Sequence, residues 1–390
     1  MKRIAVVTKQ MIIGGIENSL IHLLGELQKE DCEIYIFLEK EGGEFRNLIP
    51  KGCVVGLIPG IDMSAIAHVN KLFMTEGIVS ALSAGYKILK NRFGVSYYQE
   101  CENVSKILPL CNVKFDIAIA YSTPISLATL YVKNNIFAKK KILFIHNEID
   151  KLGIPVEEAA ECFNTYDQIY CVSSKARQLL VEKFPDLENK SIIFNNIVNK
   201  QIICSLADIG DKLKRKGNVV NILTVGRLSD EKGQDIIPYV ARLLMKNGIN
   251  FKWSIVGSGP LEGYILDAIE KNDVSMNVEL LGASKNPYGF FESCDIYVQT
   301  SRQEGYGITL TEAKCFAKPI ITTNFAGAFD QIDNGVNGLI VDFSEKEIAD
   351  AICILIQEPE LCKRFRDRLV DFQPDIQYQR KIIFEMMREL

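Results

Sequence analysis

No apolar run in this 390-residue chain is long enough to cross a bilayer. The longest stretch without a charge, Ile117 to Val132, has sixteen residues and is interrupted by Ser122, Thr123 and Pro124, whereas about 20 apolar residues are needed. No transmembrane helix is expected. The opening MKRIAVVTKQ places two basic residues before only five apolar-leaning positions, too few for the core of a secretory signal, so a protein that stays inside the cell is expected. The eleven cysteines never form C-x-x-C and never cluster with the three histidines. An odd, scattered set argues against a disulfide framework or structural zinc and suits buried thiols in a reducing cytoplasm. Excess charge is lacking too: 45 basic and 49 acidic residues leave a net charge of −4. That excludes a global electrostatic footprint for nucleic acid, and any phosphate recognition must be local.

What is present is ordinary globular material, 47% hydrophobic and 24% charged, with 27 glycines and 12 prolines, neither disordered nor fibrous. Its length points to two domains of about 150 to 200 residues. Lys2 to Thr8 reads as strand, followed by Gly14-Gly15 and a helical pattern from Ile16 to Leu27. Further apolar runs lie at 33–38, 53–57, 115–121, 141–145, 168–172 and 191–194. Strands alternating with helical spacing indicate an α/β domain with a largely parallel sheet. Between about residues 60 and 110 strand signals vanish, and two or three inserted helices are expected. The polar, basic stretch from about 199 to 218, with Lys212, Lys214, Arg215 and Lys216, is the candidate linker. A second α/β series follows, at 219–225, 251–256, 278–281, 295–299, 319–322 and 338–341. The predicted organisation is a first domain over 1–200, a second over 218–371 and a final helix over 372–390 that packs across both.

Three loops could carry chemistry. In SRQEGYGITLTEAKCFAKP, Glu304 and Glu312 flank Gly305-Tyr306-Gly307, with a strand before and a helix after. A helix starting near Gly307 would turn the free N–H groups of its first residues, Ile308 and Thr309, toward the loop, a ready site for phosphate. Carboxylates cannot grip phosphate but accept hydrogen bonds from hydroxyls, so a ligand with both phosphates and sugars fits the pair. Equally, spacing alone allows Glu304 as a loop charge and Glu312 as a solvated helix residue. In VGRLSDEKG, Arg227 and Lys232 follow the first strand of the second domain. Ligands of open α/β sheets bind at such carboxyl ends, where a guanidinium fork and an ammonium could neutralise a diphosphate. Gly257-Ser258-Gly259-Pro260 ends another strand and suits a tight turn, with Pro260 in a first helical turn. In the first domain Gly14-Gly15 would let the backbone approach a ligand, and His146 follows the strand 141–145.

Taken together, the run from Val225 to Val341 closely resembles the second domain of retaining glycosyltransferases of family four, the GT-B group. It has E-x7-E at Glu304 and Glu312, R-x4-K at Arg227 and Lys232, the Gly-Ser-Gly-Pro turn and the closing segment PIITTNFAGAFDQIDNGVNGLIV. The resemblance extends more weakly to Gly14, Gly15, Ile16, Glu17, His146 and Asn195. It implies two Rossmann-like domains facing across a cleft, a nucleotide-diphosphate-sugar donor on the second and an acceptor on the first. Arg227 and Lys232 would hold the diphosphate, Glu312 the ribose hydroxyls and Glu304 the hydroxyls of the transferred sugar. Backbone N–H groups from Gly307 to Thr309 would help the leaving phosphate. Gly14 and Gly15 would close against phosphate or acceptor, and His146 would contact the sugar.

The function implied is a metal-independent, retaining hexosyltransferase that takes a hexose or N-acetylhexosamine, most simply from a UDP-sugar, to a glycan or lipid-linked acceptor of capsule or O-antigen type. The chain has no D-x-D, and no cofactor or divalent metal is expected. Asn195-Asn196 departs from the Asn-Gly usual in the family. Lys71, Lys87, Lys90 and Arg92 beside apolar residues predict peripheral contact with the inner leaflet, against the plainer reading of a solvated helix face. The competing functions are an epimerase or phosphorylase on the same fold, a non-catalytic partner subunit, and a nicotinamide enzyme, which the missing G-x-G-x-x-G ranks last.

Overall fold

A computed structural model describes residues 1–91, 95–146, 149, 156–215 and 217–388; Arg92 and Lys216, named above, lie outside them. Contacts divide the chain into two units. The first comprises Met1–Ile12, Leu20–Asn195 and Tyr378–Leu390, the second Ile13–Ser19 and Asn196–Gln377.

The first unit is built on seven strands: β1 (Lys2–Thr8), β2 (Cys32–Leu38), β3 (Val54–Leu57), β4 (Phe115–Ala120), β5 (Ala138–Ile145), β6 (Gln168–Cys171) and β7 (Ser191–Ile193). They pair in parallel in the order β3-β2-β1-β4-β5-β6-β7. β1 lies between β2 and β4, with Ile4 opposite both Ile34 and Ile117, and Ile4 to Val7 are fully buried. A strand covered on both faces must be apolar throughout, which is why these runs were readable. Serines start the helices: Ser126 accepts from the Thr129 amide and Ser173 from the Ala176 amide, each satisfying an N–H that the helix leaves unpaired. Three helices, Ala65–Glu76, Ile78–Asn91 and Tyr97–Ile107, lie between β3 and β4.

The last helix, Gln377–Arg388, starts five residues later than expected, beyond Pro374. From Tyr378 it belongs to the first unit. Ile382, Ile383, Met386 and Met387 are buried, and Arg380 donates to both oxygens of Glu26 at 2.8 and 3.4 Å. Burial pulls the Glu26 carboxyl upward, but hydrogen bonds from Arg380 and Lys29 outweigh it and hold the group below its ordinary range.

The second unit has six strands: β8 (Val220–Val225), β9 (Phe251–Val256), β10 (Val278–Gly282), β11 (Ile296–Gln299), β12 (Ile320–Thr323) and β13 (Leu339–Val341). Their parallel order is β10-β9-β8-β11-β12-β13. Trp253 is fully buried in this core, and its indole N–H donates to Thr224 Oγ1 at 3.0 Å. Both sheets are α/β and match the expected strand positions. Two local expectations are corrected. The presumed linker contains a helix, Lys200–Asp208, capped by Asn199 and burying Ile203 and Ala207; the polar residues after it hid its apolar face. Pro260 lies in a turn ahead of the helix Glu262–Lys271, outside its first turn.

The turn after β9 owes its glycines to a close approach of backbones. A Cβ on Gly257 would stand 1.9 Å from the Gly226 carbonyl oxygen, and one on Gly259 2.4 Å from that of Leu228. Gly257→Ala is therefore expected to lower stability by about 1–3 kcal/mol, the usual cost of overpacking, as read from the urea midpoint.

Candidate functional site

In the second sheet β8 and β11 are neighbours at the point where strand order reverses, the place where open α/β sheets form their crevice. The loops leaving these two strands carry Arg227 and Lys232 on one side and Glu304 to Gly307 on the other. Main-chain bonds fasten them together. The amides of Arg302 and Gln303 donate to the Glu231 carbonyl at 2.9 and 3.1 Å, and Thr300 Oγ1 donates to the Lys232 carbonyl at 3.1 Å. Arg302 adds a bidentate bond to Asp235 at 2.7 and 2.6 Å, a bond to the Asp230 carbonyl and a stack over Phe343 at 4.3 Å. Two parallel N–H···O bonds fix orientation as well as distance. Sequence reasoning missed Arg302 and Asp235, since nothing local marks a pair 67 residues apart.

This frame holds Lys232 against Glu304, whose Oε1 takes the ammonium and also accepts from Gln299 Nε2 at 3.0 Å and Ser301 Oγ at 3.4 Å. Arg227 is exposed, and among the described residues its guanidinium has no ion-pair or hydrogen-bond partner. One cation is thus held by a carboxylate, and the other has no partner among the described residues.

The helix Ile308–Cys315 begins at Gly307, which adopts φ 77°, a left-handed conformation that favours glycine. The buried Gln331 braces the turn, donating to the Tyr306 carbonyl at 2.6 Å and the Gly307 carbonyl at 3.1 Å. Thr309 Oγ1 donates to Gln299 Oε1 at 2.9 Å, linking the first turn to the side chain that also holds Glu304. Gly305 and Ile308 are buried, Tyr306 partly so.

Glu312 is no solvated helix residue: it is 3% exposed. Its Oε1 accepts from Asn18 Nδ2 at 2.9 Å and from the Tyr288 hydroxyl at 3.2 Å. Burial pushes its pKa up to about 8, with the two hydrogen bonds opposing, so near neutrality it is largely protonated. Asn18 belongs with Gly14 and Gly15 to the short segment that groups with the second unit. The Asn18 amide donates to the Gly14 carbonyl at 2.9 Å, and a Cβ on Gly15 would stand 3.3 Å from Ile308. The glycine pair thus lies next to the helix that carries Glu312, an adjacency the sequence did not announce, and Asn18 and Tyr288 were not foreseen either.

His146 directly follows β5 in the first unit. Its ring meets Tyr121 edge-on at 4.5 Å between centroids and stacks on Phe144 at 5.7 Å. Neither ring nitrogen has a hydrogen-bond partner among the described residues, and burial lowers its pKa to about 3. Among the described residues this neutral imidazole finds no partner for its polar atoms, unlike the hydrogen-bonded histidine common in cores.

These loops and sheets define the class. Residues 207–369 match the family model of glycosyl transferases group 1, and the chain carries a domain of that family. Its two parallel-sheet Rossmann-like domains are those of the GT-B fold. An uncharacterized glycosyltransferase of Methanocaldococcus jannaschii is 26% identical over 95% of this chain and 93% of its own length. The capsular polysaccharide biosynthesis glycosyltransferase CapM of Staphylococcus aureus is 31% identical over 35% of this chain and 37% of its own. Among solved structures, Anabaena HepE in complex with UDP-glucose superposes with a TM-score of 0.74 at 15% identity, over 100% of both chains.

Proposed function

We propose that this chain is a retaining hexosyltransferase, moving a hexose or N-acetylhexosamine from a UDP-sugar to a glycan or lipid-linked acceptor of a surface polysaccharide. The observation that carries this reading is the Lys232–Glu304 pair, fastened between the loops that leave β8 and β11 at the reversal of strand order within the matched domain, with the exposed Arg227 on the same loop as Lys232. CapM supports the polysaccharide assignment, and the HepE complex supports UDP.

In this reading the bond from the anomeric carbon to the diphosphate breaks while a bond to the acceptor oxygen forms on the same face. The acceptor proton passes to the leaving phosphate oxygen. Arg227, Lys232 and the N–H groups of Gly307, Ile308 and Thr309 stabilise the negative charge that develops there, the largest lever available to such a site. Gly257 lets the neighbouring turn pack closely, Gly305 and Tyr306 shape the loop, and Glu304 receives hydroxyls of the transferred sugar. Glu312 receives those of the ribose. Gly14 and Gly15 give room for phosphate or acceptor, and His146 offers its ring nitrogens to the sugar. No divalent metal is required where two cations and a helix terminus take the diphosphate.

The test is release of nucleoside diphosphate from UDP-, GDP-, ADP- and dTDP-sugars in EDTA, with the anomeric configuration of the product read by NMR. Turnover of a UDP-sugar with retention is expected. Inversion, dependence on metal, or isomerised donor without transfer would each overturn the mechanism, and no saturable donor binding would leave the non-catalytic subunit.

A further inference from the structure

Glu312 occupies a place where packing alone would put an apolar residue. The helix Ile308–Cys315 is buried along nearly its whole length, and a carboxyl taken out of water there costs free energy unless its oxygens are hydrogen-bonded. The bonds it receives all fall on one oxygen. Asn18 Nδ2 gives one N–H to Glu312 Oε1 at 2.9 Å and the other to the Tyr288 hydroxyl oxygen at 3.2 Å. That hydroxyl donates its own proton to Oε1, also at 3.2 Å. The three side chains close a ring that uses both amide hydrogens and the phenolic one. Glu312 Oε2 takes no hydrogen bond among the described residues, and it is not sealed from solvent.

All three residues belong to the second unit, and the ring is not what holds the start of the helix Gly15–Leu27 there. Ser19 Oγ already donates to Asn196 Oδ1 at 2.8 Å, and Gly15 lies against Ile308. Tyr288 is placed independently too, 5% exposed and stacked on Phe291 and Phe316 with centroids 6.5 Å away. What Asn18 adds is a direction. With Oε1 occupied twice the carboxyl plane is set, and Oε2 is the atom left to a ligand, the kind of supporting contact that preorganises a binding group.

In the proposed reaction Glu312 receives the ribose hydroxyls. A hydroxyl both donates and accepts, so Oε2 can meet it whether the carboxyl is neutral or ionised. We infer that Asn18 is a positioning residue of the nucleotide site: with Tyr288 it orients Glu312 so that Oε2 reads the ribose, and it thereby sets the preference for a nucleotide that carries those hydroxyls. A site built to bond a hydroxyl rejects the analogue lacking it, because its own polar group is then left unpaired. The inference rests on the reading of Glu312 as the ribose contact, and it needs neither the transferred sugar nor the acceptor.

Calorimetric titration of the full chain with UDP and with dideoxy-UDP, which lacks both ribose hydroxyls, tests it. The wild type is expected to prefer UDP by about tenfold or more. Asn18→Ala, which suits a helix, should shrink that preference to about threefold or less and leave the affinity for dideoxy-UDP unchanged. In steady state it should raise KM for the UDP-sugar while kcat holds. Added to Glu312→Ala, it should change the preference no further, since the coupling is gone with the carboxyl. Equal weakening of both nucleotides by Asn18→Ala would overturn the inference by making the contact merely structural. An unchanged preference in Asn18→Ala, with the preference lost in Glu312→Ala, overturns it while the ribose reading stands. A wild type that binds both nucleotides alike or binds neither, or a Glu312→Ala variant that keeps the preference, removes the ribose reading and the inference with it.

Discussion

Lys232→Ala is expected to lower kcat/KM for sugar transfer by about 10²–10³, and Arg227→Ala by a similar factor, as when one preorganised group facing a developing charge is removed. The two are held differently. Lys232 is fastened by Glu304 and by a loop clamped through Arg302 and Asp235, so it is already in place when charge develops. Arg227 is exposed and without a partner among the described residues, so in the proposed reaction its partner comes from the ligand. Loss of Lys232 should therefore appear mainly in kcat, and loss of Arg227 should raise KM for the donor as well. In the proposed reaction both act on one diphosphate, so the double variant should lose less than the product of the single losses. Glu304→Ala removes the countercharge of Lys232 together with the proposed sugar contact, and transfer should fall with it. Steady-state diphosphate release from a UDP-sugar measures all of these. Full activity in Lys232→Ala and Arg227→Ala, with donor affinity unchanged, would remove both residues from the site.

Glu312→Gln is expected to flatten the dependence of stability on pH. The folded-state pKa of Glu312, about 8, lies above its ordinary value of 4.5. Between those values the folded chain holds a proton that the unfolded chain releases. Stability therefore declines as pH rises through this window, then levels off once the folded carboxyl is also ionised. Each unit of separation is worth about 1.4 kcal/mol, so a cost of a few kcal/mol accumulates by pH 9. Glutamine mimics the protonated acid and can still accept from Asn18 and Tyr288. Near pH 5 variant and wild type should unfold at similar urea concentrations, while at pH 9 the variant should be the more stable. Parallel curves from pH 5 to 9 would mean that Glu312 is not the titrating group.

Much of this fold was legible because buried parallel strands must be apolar along their whole length. β1 and β9 coincide with the runs read from the sequence, and the other strands differ by only a few residues. The GT-B resemblance pointed to the two cations and two carboxylates, and β8 and β11 do place their loops side by side. What stayed hidden depends on partners distant in sequence. Asn18 reaches Glu312 across 294 positions and Arg302 reaches Asp235 across 67, and neither pair has a local signature. The helix Lys200–Asp208 escaped notice because a nine-residue amphipathic helix next to a lysine-rich stretch reads as linker. The environment of His146 was equally hidden, because Tyr121 comes from a different strand end and burial is not a property of one residue.

The chain leaves the first unit at Asn195 and re-enters it at Tyr378, so the unit begun first is the one completed last. During synthesis, the site on Glu26 that Arg380 fills and the surface that Ile382, Ile383, Met386 and Met387 cover must wait while the entire second unit is made. Nascent chains stalled before Tyr378 should therefore carry a protease-sensitive first unit beside a mature second one. The same order makes the final helix a checkpoint on synthesis: a chain shortened by a premature stop retains the loops of Lys232 and Glu304 but lacks the piece that closes its starting unit.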